Sequence, residues 1–305
     1  MDNFAFYLIS GICIGAITAL VAVGYTLVYG IIKLINFAHG EFYMVGAYAG
    51  YGIYLLLPPG LSVWIAIPAI LLVSGIAGAT IAVVAEAVAY KPIRRSGRLA
   101  ALLTAIGVSL FLQNSFTFVR NAQPMQYPTG VTGSVGEICQ RTITVGGSGI
   151  MGVRFVYVAV AVLFCVALWF IVMRTRFGCA MRAVSQDADA AALMGINTDS
   201  VIRGAFALGG FMAGVAGSLI AFQAVVEPYM GFMPGLKAFI AAVLGGIGNI
   251  PGAIIGGFLL GIIESLAVWL GVPTGYKDVA AFVILIVALV VRPTGIMGKR
   301  EYEKV

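Results

Sequence analysis

His39 is the only histidine in the chain, and a carboxylate follows closely in Asn36-Phe37-Ala38-His39-Gly40-Glu41. An amide, an imidazole and a carboxylate are thus gathered between apolar runs on either side. Such groups can pass a proton or hold the polar ends of a solute. Two settings stay open: an interfacial loop where water satisfies these groups, or a functional position inside an apolar medium. Catalysis needs more than this. No Ser/His couple and no pair of carboxylates stands at a usable spacing, so no catalytic residue is assigned and the chain is not read as an enzyme. The cysteines Cys13, Cys139, Cys165 and Cys179 form no CxxC or Cys/His spacing, so no metal, cofactor or disulfide is expected. The chain contains no Gly-x-x-x-x-Gly-Lys-Ser/Thr, so any ATP is handled by a partner.

Two further segments carry candidate chemistry. Gly245-Gly246-Ile247-Gly248-Asn249-Ile250-Pro251-Gly252 breaks an apolar run. Broken helices at membrane depth expose backbone dipoles, which transporters aim at substrates. The same residues are also good turn chemistry between two helices, and both readings stand. Glu264, in the helix after the break, could face the pore or sit at the membrane interface, and the interface is expected. The other segment is 174–203, where Asp187 and Asp189 precede Ala190, Ala191 and further helix formers, and Gly195-Ile196-Asn197 follows. Acidic residues suit a helix start and glycine a helix end, so one short helix is predicted here, lying on the membrane surface.

The elements that must position these residues follow from composition. Of 305 residues, 61% are hydrophobic and 10% charged, and the mean hydropathy is +1.04. Soluble domains carry about 25% charged residues, so the solvent of this chain is lipid. The stretches 3–32, 42–85, 99–119, 155–173, 204–226, 238–263 and 279–291 contain no Asp, Glu, Lys or Arg. Pro58-Pro59-Gly60 divides the second of them. The fold class is therefore all-α: a polytopic transmembrane helical bundle of about eight or nine membrane segments, some broken or re-entrant, in a single domain over 1–305. No basic region precedes the first apolar run at Phe4, which argues against a cleaved signal peptide.

The net charge of +6 reflects loop bias rather than nucleic-acid binding. Lys91, Arg94, Arg95 and Arg98 form one basic cluster, Arg174, Arg176, Arg182 and Arg203 another, and Lys299, Arg300 and Lys304 a third. Cytoplasmic loops are enriched in Lys and Arg, so all three are predicted inside, with loop 121–153 outside and loop 174–203 inside. Gly11/Gly15, Gly46/Gly50, Gly210/Gly214, Gly252/Gly256 and Gly257/Gly261 recur four apart and predict close helix crossings.

At this point the chain resembles a known family. Asn36-Phe37-Ala38-His39-Gly40-Glu41 is similar to the signature after the first helix in permeases of branched-chain amino-acid ABC importers. Lys237 to Gly252, Met194-Gly-Ile-Asn-Thr-Asp199, Ala89-Tyr-Lys-Pro-Ile-Arg94 and Pro293 to Gly298 look like the same family, closest to its smaller, H-type subunit. The resemblance implies a homologous second permease subunit, two ATP-binding cassette subunits, a periplasmic substrate-binding protein and the lipid of a bacterial inner membrane. It implies import of leucine, isoleucine and valine. Substrate would pass Asn36, His39, Glu41, Gly245, Gly246, Gly248 and Asn249. ATPase coupling would fall on Asp187, Asp189, Ala190, Ala191, Gly195, Ile196 and Asn197, although the Ile-x-Leu-Pro of other importers is missing downstream. Alternatives are the same scaffold carrying urea, short amides or other amino acids, and an ion-coupled secondary transporter. The charge-free spans speak against the last.

Overall fold

In lipid, each backbone N–H and C=O must be satisfied within the protein, which for apolar runs of this length means helix. The computed structural model describes residues 4–58, 61–94, 96–120, 123–127, 142–145, 148–292 and 294–298, and it is helical over most of them. Helix α1 is Phe4–Ile32, α2 is His39–Leu56, and α3 is Val63–Ala85, continued by a π-helical turn, Glu86–Tyr90, to Ile93. Helices α4, Arg98–Arg120, and α5, Val153–Arg174, follow. Two short helices come next, α6 over Arg176–Gln186 and α7 over Ala188–Leu193. Helices α8, Thr198–Ala221, α9, Phe232–Gly245, α10, Ile250–Trp269, and α11, Lys277–Val291, complete the bundle. Among the described residues, six helices (α1, extended α3, α4, α5, α8 and α10) are long and apolar enough to cross a membrane. Helices α2, α9 and α11 add 18, 14 and 15 residues.

One local difference from the expected all-helical chain lies in the region read as loop 121–153. Thr142–Val145 and Ser148–Met151 pair as an antiparallel hairpin, β1 and β2. Met125 and Val226 exchange two backbone hydrogen bonds, 3.0 and 2.7 Å, tying this region to the end of α8. Cys139, Arg95, Pro59, Gly60, Pro293, Lys299, Arg300 and Lys304 lie outside the described residues, as does most of 121–141.

The centre of the bundle is α8 and α1. In the apolar stretch of α8, 72% of residues are buried, against 28% in α4 and in α5. Small residues make the centre possible. Helix α1 runs antiparallel to α10, with Gly11 on Gly261 and Ile262, Gly15 on Phe258, and Ala19 on Gly257. Helix α8 crosses α3 at Gly210 and Gly78, and crosses α2 at Gly214 and Gly46. At each crossing a Cβ would be driven into backbone of the facing helix. The outer helices present Trp64, Leu72, Phe111, Phe118, Leu163 and Phe170 outward. In water such a surface would aggregate; in lipid it is solvated.

A substitution at the seam should be costly. Gly257→Leu is expected to destabilise by about 1–3 kcal/mol or more through overpacking, read as loss of the monodisperse gel-filtration peak in detergent. Gly52→Leu, at a helical position with nothing within 4 Å, should leave that peak intact.

Candidate functional site

Helix α1 ends because Lys33 adopts a left-handed conformation, φ 50°, which few side chains tolerate. The following residues double back along the helix, so that His39 reaches Gly24, well before the end of α1. Gly24 in turn packs on Gly209, in the middle of α8. Helix α2 therefore begins inside the bundle. So does α9: its N-cap, Gly231, abuts Gly40, and Gly235 packs there as well. Two helix starts, each with a positive dipole end, meet in the interior.

Three polar residues occupy this junction, all of them buried. Asn36 Oδ1 accepts from the Ala38 N–H at 3.0 Å and from the Tyr90 hydroxyl at 2.6 Å. The first bond shapes the turn into α2; the second reaches it from the π-helical turn of α3. Tyr90→Phe should cost about 1 kcal/mol for that one bond, measured as a fall in detergent melting temperature with the bundle otherwise intact. His39 is wholly enclosed, edge-on to Tyr25 and Phe42 at 5.5 and 5.7 Å between ring centres. The Val21 carbonyl faces its ring, short of hydrogen-bond geometry. Glu41 Oε1 accepts from Ser109 Oγ at 2.9 Å and from Gln113 Nε2 at 2.7 Å, both on α4. The burial removes the watery interfacial loop as a description of this segment.

Beside Glu41 is a cavity of about 530 Å³, lined by Phe37, Ile106, Ser109, Leu110, Gln113, Tyr229, Phe232 and Met233. Its wall joins the turn before α2, the middle of α4 and the start of α9. Volumes of about 300–1,000 Å³ are typical of small-molecule sites.

The Gly245–Gly252 break lies elsewhere. It is a tight turn, with Gly246 at φ 104° and Gly248 at φ 87°, conformations that glycine supplies without strain. Asn249 caps α10 by accepting from the Gly252 N–H at 3.2 Å, and its Nδ2 donates to the Met297 carbonyl at 2.9 Å. Ile296 and Met297 donate to the carbonyls of Leu244 and Gly245. Gly245, Gly246, Gly248 and Asn249 thus join two helices to the C-terminal segment, near Gly30 at the end of α1. They are not gathered with Asn36, His39 and Glu41. Glu264 is enclosed within the protein: Lys237 Nζ stands 3.0 Å from it and 2.6 Å from Asp278, joining α9, α10 and α11.

The other site is at the end of the bundle that carries Lys91, Arg94, Arg174 and Arg182. Asp187 Oδ1 accepts from the N–H groups of Asp189 and Ala190, at 3.0 and 2.9 Å, and starts α7. Gly195, at φ 85°, ends it: Gly195 donates to Ala192 and Ile196 to Ala191, the paired bonds of a glycine-terminated helix. Asn197 then caps α8 by accepting from the Ser200 N–H. Ala191 is buried, whereas Leu193 and Met194 are 90% and 83% exposed. Next to this segment, Asp199 bonds Lys91 at 2.8 Å and Arg94 at 2.9 Å, while buried Glu86 pairs with Arg94 and with Arg203.

Residues 7–289 match the family described as the permease component of branched-chain amino acid transport systems. The chain belongs to that family. The permease is 43% identical over 314 residues to the high-affinity branched-chain amino acid transport system permease protein LivH of Salmonella typhimurium, with 100% of this chain and 99% of the relative covered. It is 43% identical over 316 residues to LivH of Escherichia coli K12, with the same coverage. It is 42% identical over 303 residues to BraD of Pseudomonas aeruginosa, covering 98% and 97%. The relatives and the membrane-capable helices make the permease a multi-pass membrane protein.

Several residues of these sites escaped sequence reasoning. Ser109 and Gln113 had a readable signal: a glutamine in a charge-free span, one turn from a serine, is expensive unless partnered. Tyr90 and Gly231 had none, because what matters is which buried atom each approaches.

Proposed function

We propose that this permease forms one half of the translocation pore of an ATP-driven importer of leucine, isoleucine and valine in a bacterial inner membrane. The observation that carries this is full-length identity of 43% to high-affinity branched-chain amino acid permeases. The second half is a homologous subunit, two ATP-binding cassette subunits dock on the basic end, and a periplasmic binding protein delivers the cargo. Helix α7 is the contact that receives the ATPase stroke. Its exposed Leu193-Met194 pair offers an apolar knob, and its caps at Asp187 and Gly195 make it rigid enough to push. The push passes into α5 through α6 and into α8 through Asn197, and the pore alternates between outward and inward openings.

Proteoliposomes holding the assembled complex test the reading. Labelled leucine should enter only with ATP and the binding protein. Urea uptake without leucine uptake would keep the coupling and discard the cargo; uptake independent of ATP would overturn the importer. Within that assay, Gly195→Trp puts a large side chain at a positive-φ position, and Asp189→Lys reverses the charge at the start of α7. Each should lower transport-coupled ATP hydrolysis several-fold. Unaltered coupling in both would remove α7 from the mechanism.

A further inference from the structure

The cavity beside Glu41 has a polar pole whose chemistry is set by the groups behind it. Ser109 and Gln113 both donate to Glu41 Oε1. An amide nitrogen only donates and an amide oxygen only accepts, so the carboxylate fixes which way the Gln113 amide is turned. Gln113 Oε1 is left as an acceptor on a side chain that lines the cavity, and among the described residues no donor reaches it. Glu41 Oε2 is buried without a partner, against Gly231 at the start of α9. A Cβ at Gly231 would stand 3.0 Å from that oxygen, so glycine is what lets the backbone come so close.

The donors of this pole, Ser109 and the Gln113 amide, are all engaged, and a buried carboxyl stands behind it. None of the described residues lining the cavity is basic. A neutral hydroxyl supplies one donor; an ammonium supplies three, with the complementary charge. Of the rest of the wall, Phe37, Ile106, Leu110, Phe232 and Met233 are apolar and suit a short branched hydrocarbon, and Tyr229 adds one hydroxyl.

We propose that this cavity is an ammonium-recognition site for a free amino acid with a branched aliphatic side chain. Gln113 Oε1 and Ser109 Oγ hold the ammonium with the Glu41 carboxyl behind them, and Phe37, Ile106 and Leu110 hold the side chain. The inference takes its cargo from the importer reading, and it singles out Glu41 rather than Asn36 or His39 as the residue that orients the groups meeting it. Asn36 and His39 shape the turn that brings Glu41 here.

The test uses the assembled complex in proteoliposomes, with Ile106→Cys or Leu110→Cys as a reporter. Modification by N-ethylmaleimide is followed at that position by peptide mass. Leucine and 3-methylbutylamine, which share an ammonium, should protect the cysteine; 4-methylpentanoate, which lacks one, should not. Glu41→Gln should raise the half-protecting leucine concentration by about tenfold or more. Protection by the acid as good as by the amine, protection by none of the three, or indifference to Glu41→Gln overturns the site. Should Glu41→Gln fail to assemble, the three-ligand comparison decides alone. ATP-driven leucine uptake by the same vesicles is read separately. Uptake without protection removes the site and keeps the importer; protection without ATP-driven uptake does the reverse.

Discussion

Lys237→Met is expected to abolish most of the folded, detergent-stable permease. Lys237 Nζ lies between Glu264 at 3.0 Å and Asp278 at 2.6 Å, and Glu264 is 4% exposed. Without the ammonium, the enclosed Glu264 and the partly exposed Asp278 face each other with only the neighbouring Lys277 charge to offset them. Removing one partner of a buried pair costs about 3–5 kcal/mol, comparable to a large part of a protein's total stability. Most of that loss is the stranded charge and not the missing attraction. Neutralising the whole cluster, Lys237→Met with Glu264→Gln and Asp278→Asn, should therefore recover much of the stability. The measurement is the fraction remaining monodisperse after graded heating. If Lys237→Met matches the unsubstituted protein, the cluster is solvated and the argument fails.

Glu86→Ala is expected to have the second-largest effect, on both stability and coupling. Glu86 is 1% exposed and pairs with Arg94, with Arg203 standing 3.8 Å away. Its loss leaves Arg94 with Asp199 as its remaining partner and the half-exposed Arg203 facing solvent at the seam between α3 and α8. Losing hydrogen bonds to a charged group there should cost about 1.5–3 kcal/mol. Asp199 provides the control. It bonds Lys91 and Arg94 but its side chain is 45% exposed, so Asp199→Asn should cost at most about 1 kcal/mol. Glu86 also anchors the π-helical turn that carries Tyr90 to Asn36. Glu86→Ala should therefore lower transport-coupled ATP hydrolysis well beyond Asp199→Asn at matched protein amounts. Equal effects of the two would show that exposure does not rank these bridges.

The candidate sites differ in how far the sequence exposes them. The helix after Asp187 in loop 174–203 was legible with its glycine end, because Asp187 and Gly195 act on backbone groups within a few residues. One helix was expected there, however, and the structure has two, Arg176–Gln186 and Ala188–Leu193. Capping is local chemistry, and local chemistry is written in order along the chain. The Gly245–Gly252 break was legible as a break but not as a place: the same glycines serve a midplane discontinuity or a tight turn. Only the hydrogen bonds from Ile296 and Met297 to Leu244 and Gly245 decided for the turn. Glu264 was legible as a carboxylate near the end of its helix but not as part of a cluster, because Lys237 and Asp278 reach it from two other helices.

By itself, the sequence determined that the chain is a polytopic helical bundle in lipid, because charge-free runs of this length have no other way to satisfy their backbone. It also determined the family, through motifs spread along the chain, and the close crossings, through glycines four apart. The tertiary structure alone decided that α2 and α9 start inside the bundle, and that Glu41 meets Ser109 and Gln113 beside a cavity. These facts depend on how far segment 33–38 folds back and on which faces of α4 and α9 turn inward. Packing of whole helices sets both, and no local stretch of sequence encodes it.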